Sequence, residues 1–121
     1  MADEQRICVL GLGYIGLPTA SILATHGLRV FGVDKRKEVL ESLRQGRPLI
    51  EEPGLNTLVE AALKSGRLTV SDKVSAADVF LICVPTPHNH ASKKADLSFV
   101  VQAAQSIVPY LKAENLVILE S

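Results

Sequence analysis

Apolar residues in this chain fall into short blocks of two kinds, separated by glycines. Residues 6–10, 29–34, 67–70, 79–84 and 116–120 are brief apolar runs rich in Val, Leu and Ile, and they predict five strands. Residues 14–26, 35–45, 54–65 and 96–112 repeat apolar positions three and four apart, and they predict four helices. In the second helix Val39, Leu40 and Leu43 face inward. In the third, Leu55, Leu58, Val59, Ala62 and Leu63 form a one-sided stripe. Gly27, Gly46 and Gly66 follow the first three helices as left-handed stops. Pro18 lies late for a first-turn proline, so the first helix is expected to start late or bend. The fourth helix is expected to be capped by Asp96 and to turn Leu97, Val100, Val101, Ala104, Val108 and Leu111 inward, with Pro109 kinking its last turn. Residues 47–53 form a proline-bearing connection, and residues 85–95 a polar loop with two prolines.

Strands alternating with helices predict an α/β fold, a parallel sheet with helices on both faces. The fourth run, Val-Phe-Leu-Ile-Cys-Val, has no polar alternation, as expected of a strand covered on both sides. Right-handed crossovers and a glycine turn after the first strand predict a Rossmann-type doubly wound sheet of order 3-2-1-4-5. The whole of residues 1–121 is then one dinucleotide-binding domain. Such folds normally have a sixth strand, and a bare apolar edge strand is an aggregation liability. The domain is therefore expected to be truncated before that strand, as part of a longer protein.

The candidate chemistry sits where the first strand meets the first helix. Gly11-Leu12-Gly13-Tyr14-Ile15-Gly16 is a G-x-G-x-x-G turn. Gly11 is expected to allow the tight turn, Gly13 to let a pyrophosphate approach the backbone, and Gly16 to bring helix and sheet together. The helix opening there offers unpaired N–H groups and the positive end of its dipole to phosphates. Asp34 closes the second strand 18 residues after Gly16. That is close to the spacing of about 20 residues for the acid that bonds an adenosine ribose.

Composition narrows the class further. With 47% apolar and 21% charged residues, the chain reads as a soluble globular domain. Thirteen basic residues balance thirteen acidic ones, which argues against a nucleic-acid footprint. No run approaches the roughly 20 apolar residues of a membrane span, and the polar N-terminus is unlike a secretory signal. Cys8 and Cys83 fall inside predicted strands and read as reduced core thiols, which favours a cytoplasmic setting.

Four stretches carry a family resemblance: the residues from Gly11 to Ala20; Glu52-Pro53-Gly54-Leu55; Val84-Pro85-Thr86-Pro87 with Ala95-Asp96-Leu97-Ser98 beyond it; and Leu116 to Ser121. Together they resemble the N-terminal domain of the UDP-glucose/GDP-mannose dehydrogenase family. The Val-Pro-Thr-Pro form and the Leu-Glu-Ser ending are most similar to the branch acting on UDP-N-acetyl-D-mannosamine. The resemblance implies oxidation of a nucleotide-sugar C6 alcohol to a carboxylate with two NAD+ in succession. It implies a UDP-sugar substrate and a homo-oligomer for the full-length enzyme, with the nucleophilic cysteine, catalytic lysine and sugar-binding groups in later segments. Carried onto this chain, it implies that Tyr14 and Ile15 offer N–H groups to the pyrophosphate. Asp34 would take the ribose hydroxyls, and Thr86 would lie where the cofactor crosses the sheet. A rival reading is a non-catalytic NAD-sensing module that regulates transport.

Other residues have plainer readings. Glu52-Pro53-Gly54-Leu55 is read as a helix start, with proline in the first turn. His88 and His90 make too few ligands for a zinc site. Cys83 is read as a packing residue with no base to activate it. Lys35, Arg36 and Lys37 are read as a solvated helix start, although cations there are within reach of a 2′-phosphate and so keep NADP open. Glu120 is either a catalytic group of the whole enzyme or a polar strand end.

Overall fold

Five short parallel strands form one sheet in the computed structural model, which describes residues 5–89 and 91–120. The N-terminal stretch 1–4, His90 of the histidine pair and Ser121 of the Leu-Glu-Ser ending lie outside the described residues. The sheet strands are β1 (Arg6–Leu10), β2 (Arg29–Val33), β3 (Leu68–Ser71), β4 (Val79–Ile82) and, after a two-stranded ribbon β5 (His88–Asn89) and β6 (Lys94–Ala95), β7 (Leu116–Leu119). Their order is β3-β2-β1-β4-β7, which is the predicted 3-2-1-4-5 with β7 as the fifth strand.

Helices α1 (Gly16–Thr25), α2 (Lys37–Arg44) and α3 (Leu55–Lys64) supply the core of one face. There Leu17, Ala20 and Ala24 of α1 meet Val39, Leu40 and Leu43 of α2, Val59 and Ala62 of α3, and strand residues Val9 and Val30. Helix α4 (Ser98–Ile107) covers part of the other face, where Ala103 and Ile107 pack with Phe80, Ile82 and Cys8. Phe80 is fully buried between the layers, as its unbroken apolar run requires.

Several boundaries differ from expectation. Helix α1 begins at Gly16, not Tyr14, because residues 11–15 are spent on the glycine turn, so it does start late and Pro18 falls within its first turn. Helix α3 begins at Leu55, with left-handed Gly54 as its cap, so Pro53 precedes the helix rather than joining its first turn. The last helix ends at Ile107 and tightens to a 3-10 turn over Val108–Tyr110, where Pro109 interrupts the α-helical bonding. The inward stripe expected of it holds only at Ala104, which packs against the core, and at half-buried Val100. Leu97, Val101, Val108 and Leu111 are exposed, while Ala103 and Ile107 are buried, because apolar residues run round much of this helix and only one side meets Phe80 and Ile82. Asp96 is not the cap residue but stands just outside it, taking the Ser98 N–H at 2.9 Å. The segment read as loop contains the β5–β6 ribbon, paired His88 to Ala95 and Asn89 to Lys94.

Candidate functional site

The carboxyl ends of the strands form one row, because the hydrogen-bond ladder runs a residue past most of them. The Asp34 N–H donates to the Ser71 carbonyl (3.1 Å), Gly11 to Val33 (2.8 Å), Cys83 to Leu10 (2.8 Å) and Glu120 to Ile82 (2.9 Å). Asp34, Gly11, Cys83 and Glu120 are thereby brought side by side along this edge. In open α/β sheets this edge, at the switch of strand order, is where ligands bind. Here the switch lies at β1 and β4.

The glycine turn occupies that switch. Gly11 has φ +98, and a Cβ there would lie 2.7 Å from the Cys83 carbonyl oxygen. Both the backbone conformation and the approach to β4 therefore demand glycine. A Cβ on Gly16 would sit 1.7 Å from the Gly11 carbonyl oxygen, so the helix can fold back over the turn only without a side chain. Gly13 differs: a Cβ would meet only the Arg36 Nη2, at 4.0 Å, so the space over it is open.

Helix α1 starts from this turn with no side-chain cap and no acid in its first turn. Among the described residues, the N–H groups of Tyr14 and Ile15 donate to no main-chain acceptor. Both residues are exposed, Tyr14 at 70%. An uncapped N-terminus with open space over a glycine is the arrangement that accepts a phosphate-bearing ligand. The site thus fits a dinucleotide.

Asp34 is buried at the other end of the turn. Its Oδ2 accepts the Leu12 N–H at 2.9 Å, and its Oδ1 accepts the Arg36 N–H at 2.9 Å. The Arg36 guanidinium closes on the same carboxylate, Nε to Oδ1 at 3.0 Å and Nη2 to Oδ2 at 2.9 Å. Burial by itself pushes this carboxyl up, but the Arg36 side chain and the two N–H donors outweigh it and hold Asp34 below the usual carboxylate range. Arg36 does stand at the start of α2 with a half-exposed side chain, as read from the sequence, but its guanidinium is also committed to Asp34. A basic residue two positions after a strand-ending acid was the available signal, but the fork-to-carboxylate geometry is visible only in the fold.

Thr86 lies half-buried beyond the carboxyl end of β4. Cys83 is buried, and its thiol faces Glu120 Oε2 at 3.6 Å, while Thr19 Oγ1 approaches Glu120 Oε1 at 3.5 Å. Burial, then the Glu120 charge and its contact with the thiol, push Cys83 up to about 12. Burial likewise pushes Cys8 to about 11, against a main-chain hydrogen bond from Ser75 that lowers it. Both stay protonated at neutral pH. The Glu120 contacts were not legible in sequence, because the predicted order puts β4 beside β7 but does not say which side chains meet beyond their ends. Among the described residues no three His, Cys, Asp or Glu side chains converge as metal ligands. No helix among them is long and apolar enough to cross a membrane. A cavity of about 910 Å3 opens elsewhere, between α2, α3 and β3, beside Arg44, Arg47, Asn56 and Lys64, and none of the predicted site residues lines it.

Fold and turn together define a dinucleotide-binding domain of the Rossmann type. The chain belongs to the UDP-glucose/GDP-mannose dehydrogenase family, matching its NAD binding domain over residues 5–121, and its cofactor is NAD. It is 51% identical over 122 residues to a UDP-N-acetyl-D-mannosamine dehydrogenase of Methanococcus maripaludis, covering 98% of this chain and 29% of that protein. It is 47% identical to an NDP-N-acetyl-D-galactosaminuronic acid dehydrogenase of Ralstonia nicotianae, covering 98% of this chain and 28% of the relative. The structure of the UDP-N-acetyl-mannosamine dehydrogenase of Staphylococcus aureus superposes with a TM-score of 0.92 at 47% identity, covering 96% of this chain and 28% of that one. The chain therefore spans less than a third of the length of these relatives.

Proposed function

We propose that this chain is the cofactor-binding part of a cytoplasmic nucleotide-sugar 6-dehydrogenase that oxidises UDP-N-acetyl-D-mannosamine, and that by itself it binds cofactor without turning over the sugar. The observation that carries the reading is the row along the carboxyl edge, with open, uncapped glycine turn and buried acid side by side. In this reading the Tyr14 and Ile15 N–H groups hold the pyrophosphate over Gly13. Gly11 and Gly16 keep the turn closed enough for that approach, and Asp34 takes the ribose hydroxyls. Thr86 borders the far half of the cofactor. When bound, NAD+ supplies a hydride acceptor. The choice of sugar rests on the identity to relatives named for UDP-N-acetyl-D-mannosamine.

Trapping an aldehyde as a thiohemiacetal needs a thiolate. Cys83, protonated at neutral pH and packed against Glu120, does not supply one. The exposed apolar residues of α4 and β7 offer a surface on which the rest of a longer enzyme packs. The test uses the purified chain. NADH should bind, while UDP-N-acetyl-D-mannosamine or UDP-glucose with NAD+ should yield no NADH. Sustained turnover, lost in Cys83→Ser, would contradict the reading.

A further inference from the structure

The Asp34–Arg36 pair has a stoichiometry that bears on cofactor choice. An ionised carboxylate has about four lone-pair sites for hydrogen bonds. At Asp34 four protein donors approach it: the N–H groups of Leu12 and Arg36, and the Arg36 Nε and Nη2. A ribose diol therefore finds no vacant acceptor on this carboxylate. Two of the four donors are main-chain groups, fixed by the glycine turn and by the start of α2. The other two belong to one flexible side chain that is 54% exposed, against 6% for its partner. That guanidinium also lies 4.0 Å from the position a Gly13 Cβ would take, inside the open space over the turn.

We propose that Arg36 is a cofactor-selectivity residue: a guanidinium that holds the ribose-binding face of Asp34 until the adenosine diol displaces it, and that pairs with a 2′-phosphate where one is present. The inference rests on the NAD-binding reading above. With NAD(H), two hydroxyl donors replace the two guanidinium donors on Asp34, and the guanidinium, already 54% exposed, regains water as it leaves. With NADP(H), the phosphate meets a carboxylate that would repel it and a guanidinium fork that matches its oxygens. Arg36 thus works against NADH at Asp34 and in favour of NADPH beside it. A merely structural role for the pair would move both affinities together.

The test is titration of the wild-type chain and Arg36→Gln with NADH and NADPH, with the Arg36 Nε–H resonance followed by NMR in the wild type. Arg36→Gln should tighten NADH by about two- to fivefold, because the diol no longer has to displace a bidentate fork whose loss its two hydroxyl donors only partly offset. It should weaken NADPH by about tenfold, from loss of a charge-assisted contact. Arg36→Lys, which keeps the charge but not the fork, should fall between. Saturating NADH should move the Nε–H signal away from its carboxylate-bonded position. Weaker NADH binding in Arg36→Gln, equal shifts for both cofactors, or an unmoved Nε–H signal in NADH-saturated protein would each overturn the proposal while leaving the NAD site intact. Failure of the wild-type chain to bind NADH would instead overturn the cofactor reading, and this proposal with it.

Discussion

The β3-β2-β1 side of the sheet and its β7 side are built to different standards. Around β1 and β2, three helices close one face, the core side chains are buried, and the turn residues approach within distances only glycine permits. At β7, all four residues are exposed, Leu116 and Leu119 at 54% each, and α4 with its flanking residues shows Leu97, Phe99, Val101 and Val108 to solvent. Both regions are equally apolar in sequence. The first is packed under three helices, and the second is left uncovered among the described residues. The glycine turn proposed to hold the pyrophosphate, which needs rigid geometry, lies at the first.

This contrast can be pressed hardest at the turn. Gly16→Ala should destabilise the chain by more than about 4 kcal/mol and abolish NADH binding, since a Cβ cannot share space with the Gly11 carbonyl. Urea denaturation with a parallel NADH titration measures both. Next, Phe80→Ala should cost about 3–5 kcal/mol, whereas Leu116→Ala at the open end should stay within about 0.5 kcal/mol. Comparable losses at the two positions in thermal unfolding would erase the distinction between closed and open ends.

Within the closed end, Asp34→Ala should weaken NADH binding by about 1–3 kcal/mol in calorimetry, the range for unmade hydrogen bonds. The same carboxylate sets an acid limb. Its folded-state pKa is depressed, so its contribution to stability is complete above the usual carboxylate range and is lost as pH falls through the folded value. Between neutrality and about pH 3, wild-type stability should fall more steeply than that of Asp34→Asn. Matching slopes would mean that Arg36 contributes nothing to folding through Asp34. The smallest effect belongs to the thiols. Cys83→Ser should leave NADH affinity unchanged, and a disulfide reagent at pH 8 should label Cys8 and Cys83 only as fast as the fold opens. Rapid native-state labelling of either would contradict their burial.

Much of this was legible in the sequence, for identifiable reasons. Strand order followed from alternation and the position of the glycine turn, and the inward faces of α2 and α3 followed from clean periodicity in Val39, Leu40, Leu43, Val59 and Ala62. The face of α4 was misread: Ser98, Gln102, Gln105 and Ser106 recur three and four apart as its polar side, opposite Ala103 and Ile107, but the exposed Val101 and Val108 flanking the buried face were counted into the stripe. Asp34 stands out as a candidate by its spacing, but its pairing with Arg36 does not, since a cation two residues on is equally at home in water. The Cys83–Glu120 contact joins positions 37 residues apart, and although the predicted order sets β4 beside β7, the register that brings these two side chains together is visible only in the fold. Ribbon β5–β6 was missed because two-residue strands carry no period to read.

The central claim is that the closed end of the carboxyl edge is a site for NAD rather than NADP. Parallel calorimetric titration of the purified chain with NADH and NADPH tests it most directly. The buried, ionised Asp34 predicts saturable one-to-one NADH binding that is tighter than NADPH binding. No binding of NADH, or tighter binding of NADPH, would contradict it.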